Sequence, residues 1–344
     1  MRPSFQAMCG AALAAALTVL PASAQEVTLT IQHFLGPKAP AQAKFIEPWT
    51  ERVTAASGGR IAFQIFPAMA LGGKPPELYR QLRDGVVDMV WTLPGYTPGV
   101  FPRVEVFELP GVHAGSARQT TLAIQSVMED LAEDFADVHP ILVHTHAGNA
   151  LHLVDGPVAT AADLAGLKLR TPSRTGAWMI EAWGAEPVGM PVPALPQALS
   201  KGTVDGALVP FEIVPPLKLH ELTKASVEGP EGLRFGTAVF LFAMNKDRYQ
   251  ALPDDLRAII DAHSGAAIAA EIGAVWDGVE GKGKDLQAGS TGGSVSQLPS
   301  DAYDALIAAS DAATARWQAE MADKGIDGAA LVAKAKAAMA ANAE

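Results

Sequence analysis

The sequence predicts an α/β protein of two lobes, each built on a mostly parallel sheet, with a long helical segment finishing the chain. Three observations carry that expectation. Residues 27–91 and 167–209 each alternate short apolar runs with helical stretches in the order strand, helix, strand, helix, strand. The frame L-x-x-G-x-V-D occurs in both, at 82–88 and 199–205, each time closing a helix and opening a strand. A chain of 344 residues is also longer than one hydrophobic core ordinarily serves.

Residues 1–24 read as a secretory leader. Arg2 gives a positive start, 11–20 is an apolar core too short to span a bilayer, and Ala22-Ser23-Ala24 is a small-residue cleavage pattern. Export to the periplasm with cleavage after Ala24 is expected. Cys9, the one cysteine, falls in this leader, so the mature chain of 320 residues has no thiol for a disulfide, a metal or catalysis. Loss of Arg2 leaves 25 basic against 37 acidic side chains, a net charge of −12. That balance argues against nucleic acid and anionic lipid as partners, and no other run approaches the roughly 20 apolar residues of a membrane span. It does not argue against an acidic ligand, because a local buried arginine decides that. No cofactor is expected.

In the first lobe, 27–32 alternates as a strand, 33–37 is a loop, and a helix over 41–56 closes at Gly58-Gly59. Strand 61–66, helix 76–84 and strand 86–91 follow, then an aromatic stretch to Phe101 and a helical segment over 114–135. Residues 141–146 form a strand leading across to the second lobe, continued by 151–154.

The second lobe centres on 164–212. Leu167 and Leu169 flank Lys168 in an extended run ending at Arg170, Pro172 keeps Thr171 out of the helical region, and Ser173 caps a helix from Arg174. Met179, Ile180 and Trp183 share one helical face, so Trp178 and Trp183 are expected in the core. Strand 188–192, helix 196–201 and strand 204–209 complete the unit. Counted from Asp88 and Asp205, 91–94 and 208–211 are equivalent strand ends facing the cleft between lobes. In α/β units the ligand crevice lies beyond the carboxyl ends of the strands. Arg170 sits there, beside a helix N-terminus that also favours an anion.

Strand 237–245 should cross back, followed by a helix over 253–279, a Gly-rich loop over 281–293, strand 294–298, and Ala-rich helices over 301–324 and 329–341. The expected division is lobe I at 25–148 with 240–280 returning to it, and lobe II at 149–239 with 281–344 on it or across both.

The segments LAGLKLRTPS, GAEPVGMP and ALSKGTVDG, with FPAMALGG and DGVVDMVWTLPGYTPGVFP in the first lobe, resemble the solute-binding subunit of tripartite ATP-independent periplasmic (TRAP) transporters, the DctP family. The resemblance covers nearly all the mature chain. It implies a two-lobed periplasmic-binding-protein fold with hinge strands, delivery of a small organic acid to a membrane permease, and an arginine at 170 that pairs with the ligand carboxylate. Sialic-acid and C4-dicarboxylate binders of the family carry a second arginine where this chain has Ala150 or a near neighbour, and an asparagine where it has Val209. They also place polar contacts near Phe34 and Leu93. These departures imply a monocarboxylate with an apolar or aromatic body, lined by Trp91, Tyr96, Phe34, Val192, Val209 and Phe211, with Ser173 and Arg174 beside Arg170. A C4-dicarboxylate or sugar-acid binder is the alternative within the family.

Arg174 reads either as a second carboxylate contact or as a solvent-facing residue in a helix's first turn. Tyr96, in the turn-rich 95–99, reads as exposed. His144 and His146 alternate as a metal pair would, yet no third ligand is near, so surface or hydrogen-bonded hinge histidines are expected. Asp88 and Asp205 are expected to cap turns or bond backbone amides. Glu212 is a candidate cation ligand by resemblance, and by its own surroundings a solvated or lysine-paired glutamate. Ser173 and Thr175 lack a G-x-S-x-G frame, and Gly72-Gly73 lacks the ending of a phosphate loop. The same architecture would serve an ATP-driven importer or a sensor kinase. A secreted hydrolase or lyase using Asp205 or Glu212 is the alternative from another class.

Overall fold

Alternation of branched apolar residues with threonine and glutamine makes Val27–His33 a strand, β1, and places Leu29 and Ile31 fully inside. In the computed structural model, which describes residues 25–113 and 115–343, β1 pairs in parallel with β2 (Ile61–Phe66) and β3 (Met89–Thr92). The leader and its cleavage pattern lie outside the described residues. A π-turn over Ala41–Ile46 opens α1 (Glu47–Ala56), and α2 (Leu78–Arg83) leads into β3. The third strand is shorter than the sequence suggests, because Val86 stands exposed in the preceding turn. After a 3-10 turn at Val104–Glu108, α3 (Ala117–Ser126) and α4 (Met128–Leu131) run into β4 (Val138–Thr145).

The second sheet begins with β5 (Ala150–Leu153) and continues through β6 (Lys168–Thr171), α5 (Arg174–Ala182), β7 (Glu186–Gly189), α6 (Leu195–Ser200), β8 (Gly206–Val209), α7 (Val214–Leu217) and β9 (Ala225–Glu228). The strand expected at 188–192 lies earlier, because Lys168 to Thr171 pair with Glu186 to Gly189, and Val192 opens a 3-10 turn. Strand β10 (Val239–Asn245) returns to the first sheet, whose order is β2-β1-β3-β10-β4 with β10 antiparallel to both neighbours. The second sheet has the order β11-β9-β5-β8-β6-β7, where β11 is Ser294–Gln297.

The repeated heptapeptide is a structural repeat. Asp88 accepts the Thr30 N–H of β1 at 2.8 Å, and Asp205 accepts the Lys168 N–H of β6 at 2.8 Å, so each carboxylate ties its strand to the first strand of its unit. Each strand then ends in a 3-10 turn, Pro94–Tyr96 after β3 and Phe211–Ile213 after β8.

Two crossovers join the sheets and bond each other. Asn149 N–H donates to Gly236 O at 2.8 Å, and Phe235 N–H donates to Asn149 O at 2.9 Å. Glu108 braces them from the side: it accepts the Val239 N–H at 3.0 Å and the Thr175 hydroxyl, at the start of α5, at 2.7 Å.

The C-terminal helices differ from the sequence reading. The helix expected over 253–279 is broken at Gly265, in a positive-φ conformation, into α9 (Asp254–Ala262) and α10 (Ala266–Gly289), with α8 (Lys246–Gln250) before them. Of the loop expected over 281–293, residues 281–289 are the last part of α10 and only 290–293 form a turn. The glycines of α10 mark close approach: a Cβ on Gly273 would lie 2.4 Å from Arg118 Cα in α3, and one on Gly283 would lie 1.9 Å from Phe211 O after β8. Helix α11 (Ser300–Asp323) packs on α5, where Trp183 Nε1 donates to Ser310 Oγ at 2.8 Å. Helix α12 (Gly328–Ala341) reaches α3, where Gln119 donates to Met339 O at 2.8 Å. Among the described residues no single helix is long and apolar enough to cross a membrane.

The glycine contacts yield a paired test. Gly283→Ala should destabilise by about 1–3 kcal/mol through overpacking, read as a lower urea midpoint. Gly281→Ala, on the same helix with open space around it, should stabilise by about 0.4–1 kcal/mol. Glu108 yields a second. Burial pushes its pKa up to about 7. The folded state therefore binds more protons than the unfolded one, and this carboxyl's contribution to stability falls as pH rises from about 4.5 through 7. Glu108→Gln should flatten that fall by on the order of 2–3 kcal/mol in urea titrations from pH 4.5 to 8.

Candidate functional site

Arg170 is carried into the interior by the pleat of β6. It follows Leu169, which is fully buried, and its own side chain turns to the other face of the sheet yet is only 2% exposed. Its Nε donates to Met190 O at 3.0 Å and its Nη1, at 3.4 Å, weakly to Leu208 O. Nη2 has no partner, and no carboxylate pairs with this guanidinium among the described residues. Burial lowers its pKa, offset in part by the Tyr96 hydroxyl beside it.

The arginine borders a small cavity of about 30 Å³ between the two sheets. Its walls are rings and branched aliphatics. Phe34 stacks on Trp91 at 4.9 Å, Trp91 stacks on Phe240 at 4.6 Å, and Tyr96 meets Phe34 edge-on at 5.4 Å. Trp91 is held by donation from Nε1 to His144 Nε2 at 3.0 Å. Val192 and Val209 complete the opposite side. The cavity is closed over by contacts between the units: the Val192 N–H donates to the Tyr96 hydroxyl at 2.9 Å, and a Cβ on Gly95 would lie 2.8 Å from that of Ser173.

Besides Arg170, three polar residues border the space. Asn149, on the first crossover, is buried with no side-chain hydrogen bond among the described residues. His146 is engaged by the crossover backbone through both ring nitrogens, and burial first, then nearby His113 and Arg234, hold its pKa well below the usual imidazole range. Glu212 is buried, with Oε2 unpartnered. Its expected solvated or lysine-paired state is corrected: burial first, then the neighbouring Glu280, push its pKa well above the usual carboxylate range. Among the described residues no group of three or more His, Cys, Asp or Glu side chains is placed to hold a metal.

The structure thus brings Arg170, Trp91, Tyr96, Phe34, Val192 and Val209 together at one cavity and leaves three expected residues off it. The Phe211 ring is fully buried against His152 at 5.0 Å, beneath the Arg234 guanidinium at 5.1 Å and the Lys284 ammonium at 5.3 Å. It turns away because the next residue, Glu212, takes the position facing the cavity. Ser173 caps α5 by accepting the Gly176 N–H and bonds Thr175. Arg174 is neither a cavity residue nor solvent-facing: it pairs with Glu105 at 2.7 Å and with Glu320, its guanidinium over Trp178. Tyr96 is buried rather than exposed, because its hydroxyl closes the seam. Of the two readings of His144 and His146, the surface one is corrected, since both are buried, and the hydrogen-bonded hinge one holds, His144 accepting from Trp91 and His146 from the crossover backbone.

Phe240, Asn149 and His146 were not singled out as cavity residues by the sequence. Phe240 lies within an all-apolar strand where alternation gives no signal, and it faces the cavity because it stands two residues from Phe242, the partner of Trp91. Asn149 becomes special only through the bonding of the two crossovers.

Comparison with known proteins agrees with this arrangement. The family described as bacterial extracellular solute-binding protein, family 7 (DctP) matches residues 31–321. A solved marine-metagenome TRAP solute-binding protein specific for aromatic acid ligands, from an unidentified microbe and in complex with metahydroxyphenylacetate, is 44% identical. It covers 93% of this chain and 100% of its own, with a TM-score of 0.90. A TRAP solute-binding protein from Rhodoferax ferrireducens T118 with copurified benzoate is 41% identical over 92% of this chain and 98% of its own, TM-score 0.88. One from Bordetella bronchiseptica with bound mandelate is 25% identical over 92% and 99%, TM-score 0.83. With the family matched across most of its length and the two-sheet fold shared throughout, this chain belongs to the DctP family and is the solute-binding protein of a TRAP transporter.

Proposed function

We propose that the protein, exported and cleaved after Ala24, captures a monocarboxylic acid with an aromatic or branched apolar body and presents it unchanged to a TRAP membrane permease. One observation carries this reading: a buried guanidinium with a free Nη2 and no counter-charge among the described residues borders a cavity otherwise walled by rings and aliphatic carbon. Arg170 takes the carboxylate with two N–H groups, trading the weak Nη1 bond to Leu208 O for a charged partner. Asn149 offers its amide as a further donor. Trp91, Phe34, Tyr96 and Phe240 enclose the body of the acid, whose carbon gains more from these faces than hydroxyl groups would. The relatives at 41–44% identity, which hold benzoate and metahydroxyphenylacetate, support the same ligand class.

A dicarboxylate or sugar acid would need a second cation or a polar wall. Arg174 and Arg234 are committed to Glu105 and to Glu228 and Glu280, and Val192 and Val209 offer no hydrogen bond. Asp205, the candidate acid or base of a hydrolase reading, is spent on the Lys168 backbone. Lobes divided at 25–148 with 240–280 and 149–239 with 281–344 would turn about the paired crossovers, and closure would exclude water and strengthen the ion pair.

Calorimetry tests the arginine. Arg170→Ala should cost about 3–5 kcal/mol of binding to an aryl acid, a few hundredfold or more in affinity, and Arg170→Lys should not restore it because an ammonium lacks the planar fork. A thermal-shift screen tests the wall. An aryl acid at 100 times its dissociation constant should stabilise by about 2.7 kcal/mol, while succinate and sialic acid leave melting unchanged. The reverse ranking would overturn the ligand class.

A further inference from the structure

Glu212 is the polar group of the cavity that carboxylate capture leaves unused. The residue is only 6% exposed, and its Oε2 makes no hydrogen bond among the described residues, although the Trp276 indole, its own N–H unpaired, stands beside it. It borders both the cavity and the wider groove between the units that holds Lys38, Lys44, Lys218 and Lys282, yet it forms no ion pair with any of them. Its position is fixed from behind. The Glu212 N–H donates to Glu280 at 2.8 Å and the Phe211 N–H at 3.4 Å, while Arg234 holds Glu280 at 3.1 Å.

A charged carboxylate facing this space would repel the acid that Arg170 attracts. Burial and the neighbouring Glu280 instead favour the neutral form, which carries one O–H to donate and a carbonyl oxygen to accept. Glu212 and Arg170 both line the cavity, and among the described residues Glu212 is tied through its backbone to Glu280 rather than ion-paired with the guanidinium. With Asn149 beside the carboxylate on Arg170 and His146 committed to the crossover backbone, a ligand meets a further hydrogen-bonding group where its ring reaches Glu212.

We propose that Glu212 is a specificity residue that hydrogen-bonds a hydroxyl substituent on the ligand's ring, so that the protein prefers a hydroxylated aryl acid over its unsubstituted parent. This rests on the aromatic-acid reading above. A parent acid fills the same space but leaves the buried carboxyl unmet, the kind of difference on which binding sites discriminate strongly.

Calorimetry with benzoate and with 2-, 3- and 4-hydroxybenzoate tests it on the wild type, Glu212→Gln, Glu212→Leu and Glu212→Met. The wild type should bind at least one hydroxybenzoate on the order of tenfold tighter than benzoate. Glu212→Gln, neutral and still able to donate and accept, should keep that preference. Both apolar variants should still bind benzoate and bring the ratio to within about twofold of unity. A wild type without preference, or a preference that survives in Glu212→Leu or Glu212→Met, overturns the assignment and leaves aromatic-acid capture standing. Failure of all four acids to bind the wild type overturns both.

Discussion

Burying the Arg170 guanidinium at 2% exposure without a carboxylate costs several kcal/mol, and much of the surrounding structure serves to hold it there regardless. Two backbone carbonyls take part of its hydrogen bonding, from Met190 beyond β7 and from Leu208 in β8, which fixes the side chain but leaves its charge unsatisfied. The other arginines close to the second sheet are neutralised. Arg234 is paired with Glu228 and Glu280, and Arg174 with Glu105 and Glu320. A carboxylate reaching this space would meet a guanidinium without an acidic partner among the described residues, in a low-dielectric setting.

The fold was largely legible because its signals are local. Periodicity and turn residues located the strands of both sheets except β9, which the sequence reading passed over, and β7, which it set two residues late, and the repeated L-x-x-G-x-V-D marked the same bond in both, a neighbouring backbone amide donating to the strand-opening aspartate. Arg170, Trp91 and Val209 were legible as cavity residues for the same reason: each sits near a strand end that topology turns toward the crevice. What escaped depended on contacts distant in sequence. Composition made 281–293 look like a loop, since glycine is a poor helix former, but Gly283 is required by the approach of α10 to Phe211 and tertiary packing overrides propensity.

Direction of a single side chain was the other blind spot. Phe211 and Glu212 are neighbours on one 3-10 turn, so one faces the cavity and the other the interior, and a strand-end count cannot tell which. Two cations waiting behind the turn, Arg234 and Lys284, settle it by stacking over the phenyl ring. Arg174 shows the same effect at a helix start. A first-turn arginine is disfavoured only weakly by the helix dipole, and its partners Glu105 and Glu320 lie 69 and 146 residues away in sequence.

The stack of Phe34, Trp91 and Phe240 has an optical consequence. Trp91 is a wall of the cavity, and Trp276 lies with its ring 6.3 Å away, close enough for the two indoles to share excitation. Both are buried, so they report on this space and not on bulk solvent. Loading the cavity with an aromatic guest would change the emission of this coupled pair, which gives the protein a built-in fluorophore for following capture in real time without any label.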